Sequence, residues 1–351
     1  MALRDWFLRL IGRAPQHTEG GHRGRGPATH VVILDGTMSS LKPGCETNAG
    51  LTFRLLQEQG RTSNLTLYYE AGIQWRDWRS SWDVMVGRGI NRQIRRAYGA
   101  LASRYRPGDK IVLIGYSRGA YAVRSLAGAI DRIGLLSPNH ATVSNIRTAY
   151  RHYIAGGRSV AAQDFRTAFC QTDVKIEAVA VWDTVKALGL RMPLLWRFMN
   201  AQHSFHDHGL GDAIANGFHA LAKDETRVAY APVLWETRPD WQGNMEQVWF
   251  RGTHADVGGQ IGNVAAARPL ANIPLVWMLS RIEACGVHLP NGWTSRFAQD
   301  VNAPSLGGWH GWARFFWYRR QRLIGADPSE RLHHSLTNAD PNEQAAPARQ
   351  S

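Results

Sequence analysis

Ser117 is the residue type and position on which a covalent chemistry could be built. It stands in Gly115-Tyr116-Ser117-Arg118-Gly119, after the apolar run 111–114 and before small and apolar residues that continue at helical spacing to 129. That reads strand, sharp turn, helix. In such an elbow the flanking glycines keep side chains off the approaching backbone, and the hydroxyl is presented above a parallel sheet as a nucleophile. The competing reading is an ordinary strand-to-helix turn with a surface serine. A serine needs a base, and the base needs a group to orient it. The strongly apolar run 176–182 ends at Asp183-Thr184, where a carboxylate could orient a histidine or simply cap a helix beginning at Val185. The run 247–250 ends in Arg251-Gly252-Thr253-His254-Ala255-Asp256-Val257-Gly258-Gly259. His254, in this glycine-rich loop, is the candidate general base and completes the chain order Ser, Asp, His.

These residues need a sheet whose strands all end at one edge, and the rest of the chain reads that way. The β-branched run 30–34 predicts a first buried strand, with Asp35-Gly36-Thr37 turning at its carboxyl end. Ligands gather at that edge of open α/β sheets, so amides of this turn could form part of an oxyanion hole. The alternative is a plain turn in which Asp35 caps Thr37 or the next helix. A helix over 47–59 and a strand over 65–69 ending in a turn at 70–72 follow. The span 75–88, with Trp75, Trp78 and Trp82 among charged residues, suits a pocket rim or cap. An amphipathic helix over 90–105 then leads into the strand before the elbow, and 143–155 and 160–169 predict two more helices. Residues 188–247 read as a lid-type insertion that includes a helix-like 210–222. Within it His203, His206, Asp207 and His208 offer no pair of histidines at helical i, i+4 spacing and no partner cluster, so no metal or other cofactor is expected. The run 247–250 is expected to be the last strand, and 274–285 the closing helix.

At 351 residues with 44% hydrophobic content the chain can bury a substantial core, and its net charge of +13 points to anionic partners. Zinc-finger spacing, basic-region heptads and a single-strand-binding aromatic signature are all missing, which argues against nucleic acid. Cys45, Cys170 and Cys285 are an odd count, far apart, and read as reduced thiols. The start, 1–11, is amphipathic and too interrupted for a secretory core, and 12–29 reads as a mobile polar linker. The folded unit is expected over 30–337, and the polar, proline-bearing 338–351 as a disordered tail. With no run long enough to span a bilayer, the protein is expected to be cytoplasmic when made. The aromatic segment 307–322, ending Arg319-Arg320-Gln321-Arg322, suits a headgroup interface or a packed end with snorkelling arginines.

Taken together, the turn at 35–37, the helix AYGALASRY with PGDKIVLIGYSRGAY after it, VWDTV at 181–185, ALAKDETR at 220–227 and WFRGTHADVGG at 249–259 resemble a known family. It is a bacterial α/β-hydrolase family, first catalogued as uncharacterised, that includes the catalytic domain of type VI secretion phospholipase effectors. The resemblance implies an α/β-hydrolase-like fold, a mostly parallel sheet flanked by helices, and hydrolysis of carboxylic esters such as glycerophospholipid acyl esters. By motif, Ser117 would be nucleophile and Asp183 the triad acid, with the Arg118 amide facing the loop of Gly36 and Thr37 in an oxyanion hole. His254 lies in the family's glycine-rich loop, yet His333 or His334 falls where a late motif places a histidine, with Asp256 as the acid in that version. The implied partners are a lipid or other ester substrate and an anionic membrane surface, with secretion possible without a signal peptide. The rival readings are a soluble small-ester or thioester hydrolase, and an inactive hydrolase-like binding module.

Overall fold

The structure, a computed structural model, describes residues 16–20, 26–60, 64–72, 88–171, 173–185, 209–307 and 318–337. The amphipathic start 1–11, the tryptophan-rich 75–87, the histidine cluster at 203–208, the aromatics of 309–317 and the tail 338–351 lie outside them. In chain order the elements are β1 (Gln16–Gly20), β2 (Thr29–Leu34), α1 (Asn48–Glu58), β3 (Leu65–Glu70), α2 (Arg88–Ala102), β4 (Lys110–Tyr116), α3 (Arg118–Ile133) and β5 (Leu135–Leu136). They continue with α4 (Val143–Ile154), α5 (Val160–Phe169), β6 (Cys170–Gln171), β7 (Ile176–Trp182), β8 (Ile214–Ala222), β9 (Asn244–Phe250), α6 (His254–Gly258), α7 (Arg268–Ala284), β10 (Glu330–Leu332) and α8 (His334–Thr337).

Eight strands form one sheet in the order β1-β3-β2-β4-β7-β8-β9-β10. Among the described residues β1 alone runs antiparallel within this sheet and all its other pairings are parallel, while β5 and β6 form a separate antiparallel pair. The strands alternate as a sheet covered on both faces requires. On β2 and β4, Val32, Leu34, Ile111 and Leu113 face the layer of α2 to α5, while Val31, Ile33, Val112, Ile114 and Tyr116 face α1 and α7. The sheet is therefore sandwiched between helical layers, in an α/β-hydrolase-like fold. Chain order reverses direction between β2 and β4, because β2 leads to α1 on one face and β4 to α3 on the other. A reversal of this kind opens a crevice at the carboxyl ends of the two strands. The turn at Gly36 and the elbow at Ser117 meet there.

Several expectations change. The helix-like reading of 210–222 is replaced by β8, which is hydrogen-bonded on both sides. Its residues 217–222 are buried one after another, so this part of the sequence lacks the alternation that separates strand from helix. The strand β9 is not the last, since β10 adds parallel to it through Glu330, Arg331 and Leu332. A three-residue edge strand with two exposed residues has too little pattern to be read. Part of the linker, 16–20, pairs with β3, which needs backbone groups but no apolar side chains. No helix among the described residues is long and apolar enough to cross a membrane.

Candidate active site

Ser117 has φ 58° and ψ −120°, a conformation that costs a non-glycine residue about 1–3 kcal/mol and persists only where surroundings over-determine it. Here they do. The Ser117 N–H donates to the Trp182 carbonyl (3.0 Å), tying the elbow to the end of β7, and the Ser117 carbonyl accepts from the Tyr121 N–H (3.2 Å). Close approach of α3 to β2 and β4 is possible only because glycines flank the turn. A Cβ on Gly119 would lie 2.0 Å from the Leu34 carbonyl oxygen, and one on Gly115 would lie 2.7 Å from the Ala120 nitrogen.

Asp183 follows β7 at φ 40° and has no exposed surface. His254 follows β9 as the first residue of α6, so the expected loop is in fact a helix start. Thr253 caps that helix: its N–H and hydroxyl both donate to Asp256 Oδ2 (2.7 and 2.8 Å). The His254 ring joins the two other candidates. Its Nδ1 lies 2.6 Å from Asp183 Oδ2 and its Nε2 lies 2.8 Å from Ser117 Oγ. The first contact places the ring proton on Nδ1, which leaves Nε2 able to accept from the serine hydroxyl. Tyr116 stacks on one face of the imidazole (centroids 5.0 Å apart, 30° between planes) and Tyr230 meets it edge-on at 4.9 Å. The backbone is held as well: the His254 N–H donates to Glu225 Oε2 (3.2 Å), and Tyr116 Oη donates to the His254 carbonyl (3.2 Å).

Arg322 completes the cluster, although in the sequence it is only the end of a basic aromatic segment. Its Nη1 donates to Asp183 Oδ1 (2.6 Å) and to the Ala222 carbonyl (2.8 Å). Its Nη2 donates to Asp183 Oδ2 (2.9 Å) and to the Tyr230 carbonyl (2.6 Å). The Arg322 side chain is 4% exposed, so the expectation of snorkelling arginines at 319–322 fails at this residue. Burial pushes the Asp183 carboxyl up, but the Arg322 charge and the His254 hydrogen bond outweigh it and hold the acid well below the usual carboxylate range. The motif at 220–227 also acquires a place: Glu225 pairs with Arg227 (2.6 Å), whose guanidinium lies 3.9 Å over the Tyr230 ring.

The other candidates fall elsewhere. Asp256 accepts from Thr253, the Ser305 hydroxyl (2.6 Å) and the Leu306 N–H (2.9 Å), which commits it to its own helix cap and the following loop. The buried His333 ring bonds Ser335 Oγ (2.9 Å) and packs 4.6 Å from Phe250, and His334 is exposed beside it. Neither is hydrogen-bonded to Ser117 or Asp183. In the loop expected to supply oxyanion donors, the Gly36 N–H donates to Asp35 Oδ1 (2.7 Å) and is already committed inside its turn. The amides of Thr37 and of Arg118, at the start of α3, remain as the candidate donors. Among the described residues no group of His, Cys, Asp and Glu could hold a metal ion.

Asp35 makes a separate prediction. Burial raises its carboxyl to about 6, only partly offset by hydrogen bonds from Thr47, Tyr69, Gly36 and Ser39. The folded state therefore holds this proton more tightly than the unfolded chain. The resulting stabilisation is complete below about pH 4 and is lost as pH rises through about 6. Asp35→Asn, which cannot ionise, is expected to be more stable relative to the parent at about pH 7 than at about pH 4, by about 2 kcal/mol. Thermal unfolding of both proteins at the two pH values checks it; a difference independent of pH would be the contrary result.

Residues 29–281 match the family described as type VI secretion system phospholipase effector Tle1-like, catalytic domain. An uncharacterised protein of Saccharomyces cerevisiae is 28% identical over 219 residues, which are 53% of this chain and 32% of that protein. Among solved structures, an uncharacterised protein from Pseudomonas aeruginosa aligns with a TM-score of 0.46 and 14% identity, over 79% of this chain and 50% of that one. The Tle1 effector bound to the VgrG spike of the type VI secretion system aligns with a TM-score of 0.39 and 16% identity, over 67% and 51%. The chain thus spans about a third of the yeast protein and about half of the two structures. Because the matched region carries β2, the elbow, Asp183 and His254 in one continuous block, the chain belongs to the Tle1-like phospholipase effector catalytic-domain family.

Proposed function

We propose that this protein is a serine hydrolase that cleaves carboxylic acyl esters of phospholipids, with Ser117 as nucleophile, His254 as base and Asp183 as acid. The carrying observation is the unbroken hydrogen-bond chain from Ser117 Oγ through both ring nitrogens of His254 to Asp183, assembled from the carboxyl ends of β4, β9 and β7. In this reading His254 Nε2 takes the hydroxyl proton as Oγ attacks the ester carbonyl, and amides of Arg118 and Thr37 receive the oxyanion. His254 then gives the proton to the departing alcohol, and water, activated by the same nitrogen, releases the acid and restores Ser117. The phospholipid comes from the family description, and the net charge of +13 suits an anionic surface. Arg322 and β10 extend the proposed catalytic unit to residue 332, past the matched region. Export as an effector is the corresponding proposal for its location.

The test couples labelling to substrate profile. A fluorophosphonate probe is expected to label the parent and not Ser117→Ala, and phospholipid vesicles are expected to release free fatty acid with the parent alone. Release should fall as salt rises and as anionic lipid is diluted with zwitterionic lipid. Absent labelling together with absent release overturns the hydrolase reading. Turnover of short soluble esters or thioesters without vesicle hydrolysis overturns the lipid assignment and leaves the serine chemistry standing.

A further inference from the structure

We infer that Arg322 is a positioning residue for the proposed ester hydrolysis, acting through Asp183: its forked guanidinium keeps the buried carboxylate ionised and aimed at His254. The inference rests on the reading of Ser117, His254 and Asp183 given above, and Arg322 lies outside the residues that match the family.

The geometry accounts for both carboxylate oxygens. Oδ2 receives His254 Nδ1 and Arg322 Nη2, and Oδ1 receives Arg322 Nη1 and the Ala222 N–H (3.1 Å). A carboxylate bound on both oxygens cannot rotate away from the imidazole. Two parallel N–H···O bonds from one planar group fix orientation in a way a lysine point charge does not. The same guanidinium bonds the carbonyls of Ala222, at the end of β8, and of Tyr230, whose ring edge meets the imidazole. One side chain therefore ties the acid, the neighbouring strand and the aromatic wall of the base together.

Electrostatics give it a second task. A carboxylate with no solvent contact tends to take up a proton, and a protonated acid no longer favours the imidazolium formed on the reaction path. The remaining titratable and charged groups near this pair cannot substitute for the cation. His219 on β8 is kept neutral, its imidazole lowered to about 3 by burial and by Arg124, and it accepts the Thr184 N–H (3.1 Å). The Tyr116 phenol is raised well above its ordinary range by burial, and Arg227 is engaged by Glu225. Removing Arg322 favours proton uptake by the coupled Asp183–His254 pair, whichever member takes the proton.

The experiment uses the full chain and three variants, Arg322→Met, Arg322→Gln and Arg322→Lys. Turnover of a soluble chromogenic ester is followed between about pH 5 and 9, and the His254 ring nitrogens are titrated by 15N NMR. With either neutral variant the acid limb of kcat/KM is expected to move up by about one to three pH units, and kcat at about pH 7 to fall at least about tenfold. Arg322→Lys should leave the acid limb near its parental place and lower kcat with KM little changed. An equal loss at every pH, with an unmoved ring titration, would reduce Arg322 to a structural pin and overturn the inference. Should neither neutral variant fold, an Arg322→Lys protein with parental kcat overturns it. A parent that neither turns over ester nor reacts with a fluorophosphonate overturns the hydrolase reading instead, while the ring titration still decides whether Arg322 governs protonation of the pair.

Discussion

His254→Ala is expected to lower kcat/KM toward a carboxylic ester by roughly four to six powers of ten, and Ser117→Ala by a similar factor. The double variant should be no slower than the worse of the two. Non-additivity of this kind distinguishes residues acting in one step from residues that each contribute a little binding. The expectation comes from position: His254 Nε2 lies 2.8 Å from Ser117 Oγ, so neither atom has a use in proton transfer without the other. His333→Ala is the matched control, since that ring is buried against Phe250 and bonded to Ser335, and its loss should leave the rate within about threefold of the parent. A near-parental rate for His254→Ala combined with a large loss for His333→Ala would move the base to the carboxyl-terminal segment.

The contrast between those two histidines shows what could be read from residue order. Placement of Ser117, Asp183 and His254 at strand ends is legible because each follows a short apolar run that only a buried parallel strand explains. Which histidine faces the serine is a matter of strand order across the sheet, and local pattern carries no such information. The β9 strand lies two places from β7, whereas β10 is at the far edge, so the ring following β9 reaches the elbow. Arg322 is hidden for a related reason. Its partner is 139 positions away, and in sequence it belongs to a basic run indistinguishable from a solvated face. Tyr116 and Tyr230 are ordinary aromatic residues until the fold sets both against one imidazole. The β8 strand reads as helix in the sequence because burial of 217–222 on both faces erases period-two alternation, the same property that makes it central.

The elbow itself carries the largest expected effect on stability. Gly119 stands in the first turn of α3, where Ala is ordinarily better than Gly by about 1 kcal/mol. At this position the sign reverses. The new methyl would lie 2.0 Å from the Leu34 carbonyl oxygen, 2.5 Å from its carbon and 2.6 Å from the Asp35 carbonyl oxygen, all of them backbone atoms of β2 and its turn. Flexible side chains can swing away from such a contact, but a strand paired on both sides cannot. Gly119→Ala is therefore expected to destabilise by about 3 kcal/mol or more, and to lift α3 and Ser117 away from the Thr37 loop, so that fluorophosphonate labelling slows even in the fraction that stays folded. Gly99→Ala in α2 separates crowding from propensity, because its methyl would meet only the Ile146 side chain, with Cδ1 nearest at 2.8 Å. That variant should stay within about 1 kcal/mol of the parent and label at the parental rate. Equal stability of the two variants in urea unfolding would mean that α3 can shift along β2 at little cost, and that the tight elbow is not what holds Ser117 in its strained conformation.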